Sequence, residues 1–592
     1  MKIKTTLAAI AVIFFCSCST PKVETFTEAA DPILISMEQL EAWKSVEGGV
    51  NAAWASSDYV YPRSIVPTES NQSITLEGWQ GEKVSAQLLI WSSSNLNSVV
   101  CRPSDFNSDS GKIGAEIAST HFVRYTIADQ VDKSCLCGRP NGHPSMLQAD
   151  MLDCLERFDI EANTVRPVWV SIAIPKSAKP GTYDAELKIS HSGRGSRTLK
   201  LQLEVIGVEL AEAKDWSFHL DLWQHPSAVA RAEGVEMWSD EHFAAMRPVM
   251  QMLANAGQKV ITATLNRDPW RYQCFDDYEP MIFWTLHDNG VWSYDYTIFD
   301  RWVEFMMSLG IDKQINCYSM LPWGECSLDY HDMRSGKVHR NRTVSATPKS
   351  DEFEAMWGPF LVDFAAHLRS KGWLGITNIA IDERAPEDMD AAAALIKKYA
   401  PELGFAIADN HNSYKRYANM RDVCVGQKQA AMSVEEIADR RAKGYVSTFY
   451  VCCSTLFPNT FTNSQPFESE LLGAYATAYN YDGMLRWSYN SWPANPMYDS
   501  RFRRWASGDT YLIYPGPRSS VRFERLIDGI ELYEKVRLLR KKCSSEALEA
   551  LDQQLEVLRV QNVNDPSYNW AEYLQKLNKA VNKTARESVV CD

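Results

Sequence analysis

The chain has 592 residues, too many for one hydrophobic core, so several domains are expected. Its composition, 45% hydrophobic and 23% charged, is that of a globular protein and excludes a disordered or fibrous chain. A net charge of -14 offers no basic excess to displace the counterions of a nucleic acid, so that class of partner is set aside.

The opening residues, MKIKTTLAAIAVIFFCSCST, place Lys2 and Lys4 before an apolar run from Leu7 to Phe15 and then small residues around cysteine. This is the pattern of a secretory signal, and the run is too short to remain as a spanning helix. The ending FCSC resembles a bacterial lipobox with Cys18 as the acylated residue, since bulky Phe15 disfavours Cys16. A plain cleaved signal is the alternative. Either way the mature protein is expected outside the cytoplasm, and with Cys18 acylated it would be anchored at the outer membrane or cell surface. No later segment is apolar enough to span, so membrane contact is expected only through that anchor. Residues 1–18 are read as the signal and the polar stretch 19–35 as a tether. An oxidising compartment permits disulfides. The CLCG and VCCS stretches lack C-x-x-C spacing, so Cys135, Cys137, Cys452 and Cys453 are read as structural or free cysteines.

From 36 to 212 the pattern is β-like. KVSAQLLIWSS (83–93), RPVWVSIAIP (166–175), GTYDAELKIS (181–190) and RTLKLQLEVIGVEL (197–210) alternate apolar and polar residues between turn formers, which predicts a β-sandwich. From 213 to 518 short apolar runs alternate with amphipathic stretches. Strands are predicted at 218–226, 259–266, 281–286, 315–321, 376–383, 405–410, 445–452 and 483–490, with helices such as 240–256, 295–311, 351–372 and 386–400 between them. Repeated β-then-α units over this length predict a (β/α)8 barrel. An open doubly wound sheet is disfavoured because no glycine-rich phosphate loop follows any strand. Residues 519–592 read as a charged helical extension.

A barrel carries its active site at the C-terminal ends of its strands. The run NIAIDE ends there in Asp382 and Glu383. Two readings of this pair stand side by side: catalytic carboxylates, or acids that offset the dipole of the helix beginning at Pro386, a role Glu387 and Asp388 already fill. The other predicted strand ends offer Asp221, Trp223, Gln224 and His225; Asn266, Arg267 and Trp270; Trp284 and His287; Tyr318 and Trp323; Asp409, Asn410 and His411; Tyr450; and Arg486, Trp487, Tyr489, Asn490 and Trp492. Taken singly, the aromatics among them fit core packing better. Convergence on one barrel face is what points to a sugar site, in which apolar walls frame a few placed polar groups. His225, His287 and His411 lack close helical spacing, so no metal site is predicted, and no cofactor is implied.

The segment WSYNSWPANPMYDSRFRRWASGDTYLIYPGPRSSVRFERLIDGIELYEKV (487–536) resembles the C-terminal part of glycoside hydrolase family 123. The matching features run from Trp487, Asn490, Trp492 and Pro493 through Gly508, Asp509, Tyr514, Pro515 and Gly516 to Arg522, Glu524, Asp528, Gly529, Glu531 and Tyr533. Leu532 departs from the pattern, where an acid is expected. The segment RPVWVSIAIPKSAKPGTYDAELKI resembles the sandwich that precedes the barrel in this family. The resemblance implies an exo-acting β-N-acetylgalactosaminidase that retains anomeric configuration and acts on a glycolipid or glycoprotein oligosaccharide. It implies an adjacent Asp-Glu pair, here Asp382-Glu383, in which the sugar's own acetamido group is the nucleophile. Glu383 would be the general acid and base, starting protonated, and Asp382 would orient the acetamido N–H. A tyrosine donating to the acetamido carbonyl is expected at Tyr450 or, second, Tyr318, and Trp487 or Trp492 would floor the sugar. Trp223, His225, Asn266, Trp284, Asn410 and Asn490 complete the expected binding residues. Two other readings stay open: a glycosidase for a non-acetamido sugar, pairing Asp382 or Glu383 with Asp221 or Asp409, and a catalytically inactive glycan-binding protein.

Overall fold

The computed structural model describes residues 27–109, 111–131, 144–324, 327–343, 347–410, 412–417, 419–428, 431–502 and 504–589. The signal, Cys18, Cys135, Cys137 and His411 lie outside these residues. The N-terminal domain is the expected sandwich. One sheet of five strands runs in the order Asn51–Ala55, Lys83–Ser92, Thr164–Ala173, Ala118–Asp129 and Ser145–Leu152, all antiparallel. The other is built on Ser196–Glu209, flanked by Ser73–Gln80 and Gly181–Ser190. The four alternating runs all form strands. In Gly181–Ser190, Tyr183, Ala185, Leu187 and Ile189 turn inward and the residues between them face solvent, which is what a half-buried strand of period two requires.

Eight parallel strands follow: β1 (His219–Leu222), β2 (Val260–Thr264), β3 (Gln314–Tyr318), β4 (Thr377–Asp382), β5 (Gly404–Asp409), β6 (Met420–Gly426), β7 (Val446–Tyr450) and β8 (Gly483–Arg486). Each pairs with the next in sequence from β2 to β8, and β8 pairs back onto β1. Between β1 and β2 a single bridge, Leu220 to Gln258, almost closes the barrel. One membership differs from expectation. Residues 283–286 are not a barrel strand; they join Trp292–Asp295, Ser327–Asp332 and Lys337–Thr343 in a separate four-stranded sheet inserted after β2 and β3. The missing barrel strand is β6. Its short link from β5 holds a 3-10 turn, Ser413–Lys415, in place of a helix.

Within β4, Ile379 and Ile381 point outward to the helices, while Asn378, Ala380 and Asp382 point inward. The lower interior is a polar plug. Gln314 and Asn316 donate to Asp422 at 2.6 and 3.2 Å, and Asn378 donates to Asn316 at 3.0 Å. Beyond the barrel, Val521–Lys542 packs against Pro466–Tyr479, and the helices Ser545–Val560 and Trp570–Val589 complete the chain. Among the described residues no helix is long and apolar enough to cross a membrane.

Candidate active site

Above the plug the inward side chains change character. Strands β4 and β5 contribute Ala380, Ala406 and Ala408, which leave space, while β1, β3 and β7 and the loop after β2 bring Trp223, Tyr318, Tyr450 and Trp270. Trp223, Trp270 and Tyr318 interlock, each pair of ring centroids 4.7–5.0 Å apart. Trp323 and Trp487 are partly buried against the same cluster. The result is an aromatic cage whose small-residue side lies beside Asp382.

Asp382 is the last residue of β4, and strand alternation turns it into the cage. The Trp323 indole donates to it at 2.8 Å, and the Trp270 side chain donates as well. Burial raises its carboxyl to about 7, the charge of Glu383 adds to the rise, and the Trp323, Arg384 and Trp270 contacts oppose it. Alternation would send Glu383 outward. Instead its backbone enters the left-handed region, with φ 41°, while its N–H still bonds Ala408 O at 2.9 Å on β5. That turn brings the Glu383 carboxylate round to Tyr450, whose hydroxyl donates to Oε1. Burial, then the Glu383 charge, raises the Tyr450 hydroxyl, which therefore remains a donor. Two sequence neighbours on a strand thus present their carboxylates to one cage.

The remaining expected residues divide. Trp223, Tyr318, Tyr450 and Trp487 line the cage. Asn410 sits at the tip of β5, two residues beyond Ala408. Asn266 is buried and accepts the Ser319 N–H at 3.3 Å, which fixes the turn after β3. His225 and Asn490 form framework: the Asn490 amide accepts from His225 N at 2.8 Å and donates to His225 O at 3.1 Å, tying the end of β8 to that of β1. The His225 ring stacks on Tyr278, centroids 3.8 Å apart, and burial lowers its pKa to about 3, so it is neutral. Two further placements correct the expectation. Trp492 is core, its indole donating to Ile513 O at 2.6 Å. Trp284 belongs to the inserted sheet and stacks on Phe360 at 4.6 Å, because its strand was never part of the barrel. What residue-type reasoning missed is the donor role of Trp270 and Trp323; both sit just past strand ends, but nothing in the sequence says where an indole N–H points.

Neither distant carboxylate stands across the cage. Asp409 faces away from the interior and accepts from the Ser413 N–H and hydroxyl. Asp221 lies one layer beneath Trp223, fully buried, and burial first and then the Asp422 charge raise its pKa well above the usual range. Among the described residues no three His, Cys, Asp or Glu side chains gather as metal ligands.

A barrel that lifts paired acids into a ring of indoles and phenols at its strand tips is built like the enzymes that cleave glycosidic bonds, and comparison with known proteins makes the class specific. The chain belongs to glycoside hydrolase family 123: the family's catalytic-domain model matches residues 223–539 and its N-terminal-domain model matches residues 54–191. Among solved structures it is similar to a family 123 glycoside hydrolase from Clostridium perfringens, a structure analysed for glycolipid glycan hydrolysis. Identity is 25%, the match covers 92% of this chain and 99% of that one, and the TM-score is 0.82. A GH5 xyloglucanase from Bacteroides ovatus matches at 8% identity over 81% of this chain and 100% of that chain, with a TM-score of 0.29 that carries no argument. No curated protein matches.

Proposed function

We propose that this glycoside hydrolase removes terminal β-linked N-acetylgalactosamine by substrate-assisted, configuration-retaining catalysis. The observation that carries the reading is the turn at Glu383, which brings two adjacent carboxylates of one strand end into one cage. A two-carboxylate retaining mechanism needs acids about 5 Å apart on opposite sides of the scissile bond. An adjacent pair with neither Asp221 nor Asp409 across the cage suits a reaction whose nucleophile comes from the sugar. In it, Glu383 protonates the leaving oxygen as the acetamido carbonyl oxygen attacks the anomeric carbon. Asp382 accepts the acetamido N–H and balances the positive charge of the oxazolinium. Glu383, now a carboxylate, takes a proton from water as that water opens the ring. In this reading Tyr450, which donates to Glu383 in the free enzyme, redirects its hydroxyl to the acetamido carbonyl. Holding the nucleophile in reach replaces a bimolecular step, a gain that reaches effective molarities of about 10⁵ M or more.

The glycan of a glycolipid is the natural substrate we propose, by analogy with the Clostridium perfringens enzyme. We place the protein outside the cytoplasm, tethered through Cys18; the disulfide at Cys453 suits an oxidising compartment.

The test is hydrolysis of chromogenic β-N-acetylgalactosaminide, β-N-acetylglucosaminide and β-galactoside by wild type and by Glu383→Gln. Turnover is expected on acetamido sugars only, the galactosaminide best, with a loss of roughly 10²–10⁴-fold in the variant. Cleavage of the plain galactoside at a comparable rate would overturn substrate assistance.

A further inference from the structure

The cage does not end at its walls. Trp487, at its edge, meets Trp505 edge to face with ring centroids 5.5 Å apart. The Trp505 indole donates to Gln273 O at 2.8 Å, which joins the loop after β8 to the loop after β2. Two residues along that second loop, Phe275 packs against Phe502 at 6.3 Å. The cage edge is thus linked through Trp505 and Gln273 to the loop that carries Tyr272 and Phe275. Isolated exposed aromatics are ordinary. Here, however, Tyr272 is 64% and Phe275 45% exposed, both within a few residues of Trp270, which hydrogen-bonds Asp382.

The loop is also held in a demanding shape. Asp268, Arg271 and Tyr272 all have positive φ, at 39°, 38° and 61°. Such conformations cost free energy in non-glycine residues and persist where surrounding structure fixes them. Here Asp268 accepts the Tyr272 N–H at 2.8 Å, and Trp323 donates its backbone N–H to Pro269 O at 2.7 Å. Gly324 lies so close to Arg271 that a side chain there would collide with it. The loop arches from Trp323, on the Asp382 side, to Trp505, on the Trp487 side, and raises Tyr272 and Phe275 at the mouth.

We propose that Tyr272, Phe275, Phe502 and Trp505 form a stacking platform for the first sugar ring on the leaving-group side of the cleaved bond. Pyranose rings have apolar faces that lie flat on aromatic rings. If the terminal sugar fills the cage, the rest of the glycan leaves across this rim. The proposal thus rests on the exo-acting reading above and adds that the enzyme grips its leaving group.

The experiment compares two substrates with the same terminal N-acetylgalactosamine: a methyl glycoside, too short to reach the rim, and a trisaccharide carrying that residue on lactose. Tyr272→Ala/Phe275→Ala should lower the ratio of kcat/KM for the trisaccharide to that for the methyl glycoside by about tenfold or more, mainly through KM. Tyr272→Trp/Phe275→Trp should restore it. An unchanged ratio, with both substrates equally affected or equally spared, overturns the platform. If wild type cleaves neither substrate, the sugar assignment fails, and the rim is then judged by saturation-transfer NMR with lactose. Contact in wild type that disappears in the double alanine variant supports it; equal contact, or none in either protein, overturns it.

Discussion

At φ 41° Glu383 gives up a relaxed backbone to reach Tyr450, while Asp382 keeps a regular strand end and is held by indole donors. The two acids are therefore set differently, and the difference can be measured. The Trp323 hydrogen bond lowers the Asp382 pKa against the rise caused by burial. Trp323→Phe keeps the ring and removes the donor, so the Asp382 pKa should move up from about 7. Asp382 serves as the anion in the proposed reaction, so the acidic limb of the pH profile of kcat/KM should shift to higher pH. A limb that stays in place would mean that Asp382 does not control it. The pair was legible from the sequence because an apolar run that stops at two acids is unusual. The left-handed turn was not legible, since no proline, glycine or asparagine marks it. It is imposed by tertiary contacts with β5 and β7.

Among the elements, β6 and the strand Phe283–Leu286 exchanged places relative to expectation. MRDVCVG reads as a polar, broken stretch because of Arg421 and Asp422. In the barrel Asp422 is an interior residue whose charge is met by the amides of Gln314 and Asn316. FWTL looks like a buried strand, and its Trp284 is buried, but against Trp357 and Phe360 on the outer helix. Single-strand periodicity reports that one face is covered and not which sheet covers it. A test follows from the plug. Asp422→Ala takes one acceptor from each of two buried amides, Gln314 keeping Asn316, and a buried donor left unpaired costs about 1–3 kcal/mol. A loss of roughly 2–5 kcal/mol in urea denaturation is expected, with the catalytic pH profile unmoved in the protein that remains folded. Stability within a few tenths of wild type would show that water replaces the carboxylate.

For the whole molecule, the second half of the motif that carried the family resemblance lies at the seam between the domains. Arg522 pairs with Asp150 at 3.0 Å, Arg525 bonds Asp58 at 2.7 Å, and Glu531 accepts the Lys83 N–H at 3.2 Å. Glu82 of the sandwich pairs with Lys535 of the helix. This explains how a motif in the last fifth of the sequence could announce the overall fold while saying little about substrate. Burial raises the carboxyls of Glu82, Glu470, Asp528 and Glu531, with Glu531 well above its ordinary value. Such groups hold protons in the folded state that the unfolded chain has already released. Their stabilisation is full below the unfolded values, 3.8 for Asp528 and 4.5 for the glutamates, and is lost as pH rises through the folded values. Glu28 and Glu524 are shifted down and titrate below this window. Wild type should therefore lose urea midpoint relative to Glu531→Gln as pH rises from 5 to 8, a difference in which the buried His225, whose lowered pKa acts in the opposite sense, is common to both proteins. An equal slope in the variant would remove Glu531 from the account.

The sandwich also holds the loop that carries Trp505. Thr126 donates to Pro496 O at 2.9 Å, and Asp129 and Ser507 exchange hydrogen bonds at 2.7 and 2.9 Å. Asp382 and Glu383 hang on the barrel, whereas the loop of Trp505 is hung in part from a neighbouring domain. Inheritance therefore meets two supports in two domains: a substitution at Thr126 or Asp129 reaches the loop of Trp505 without touching the strand that carries the acids.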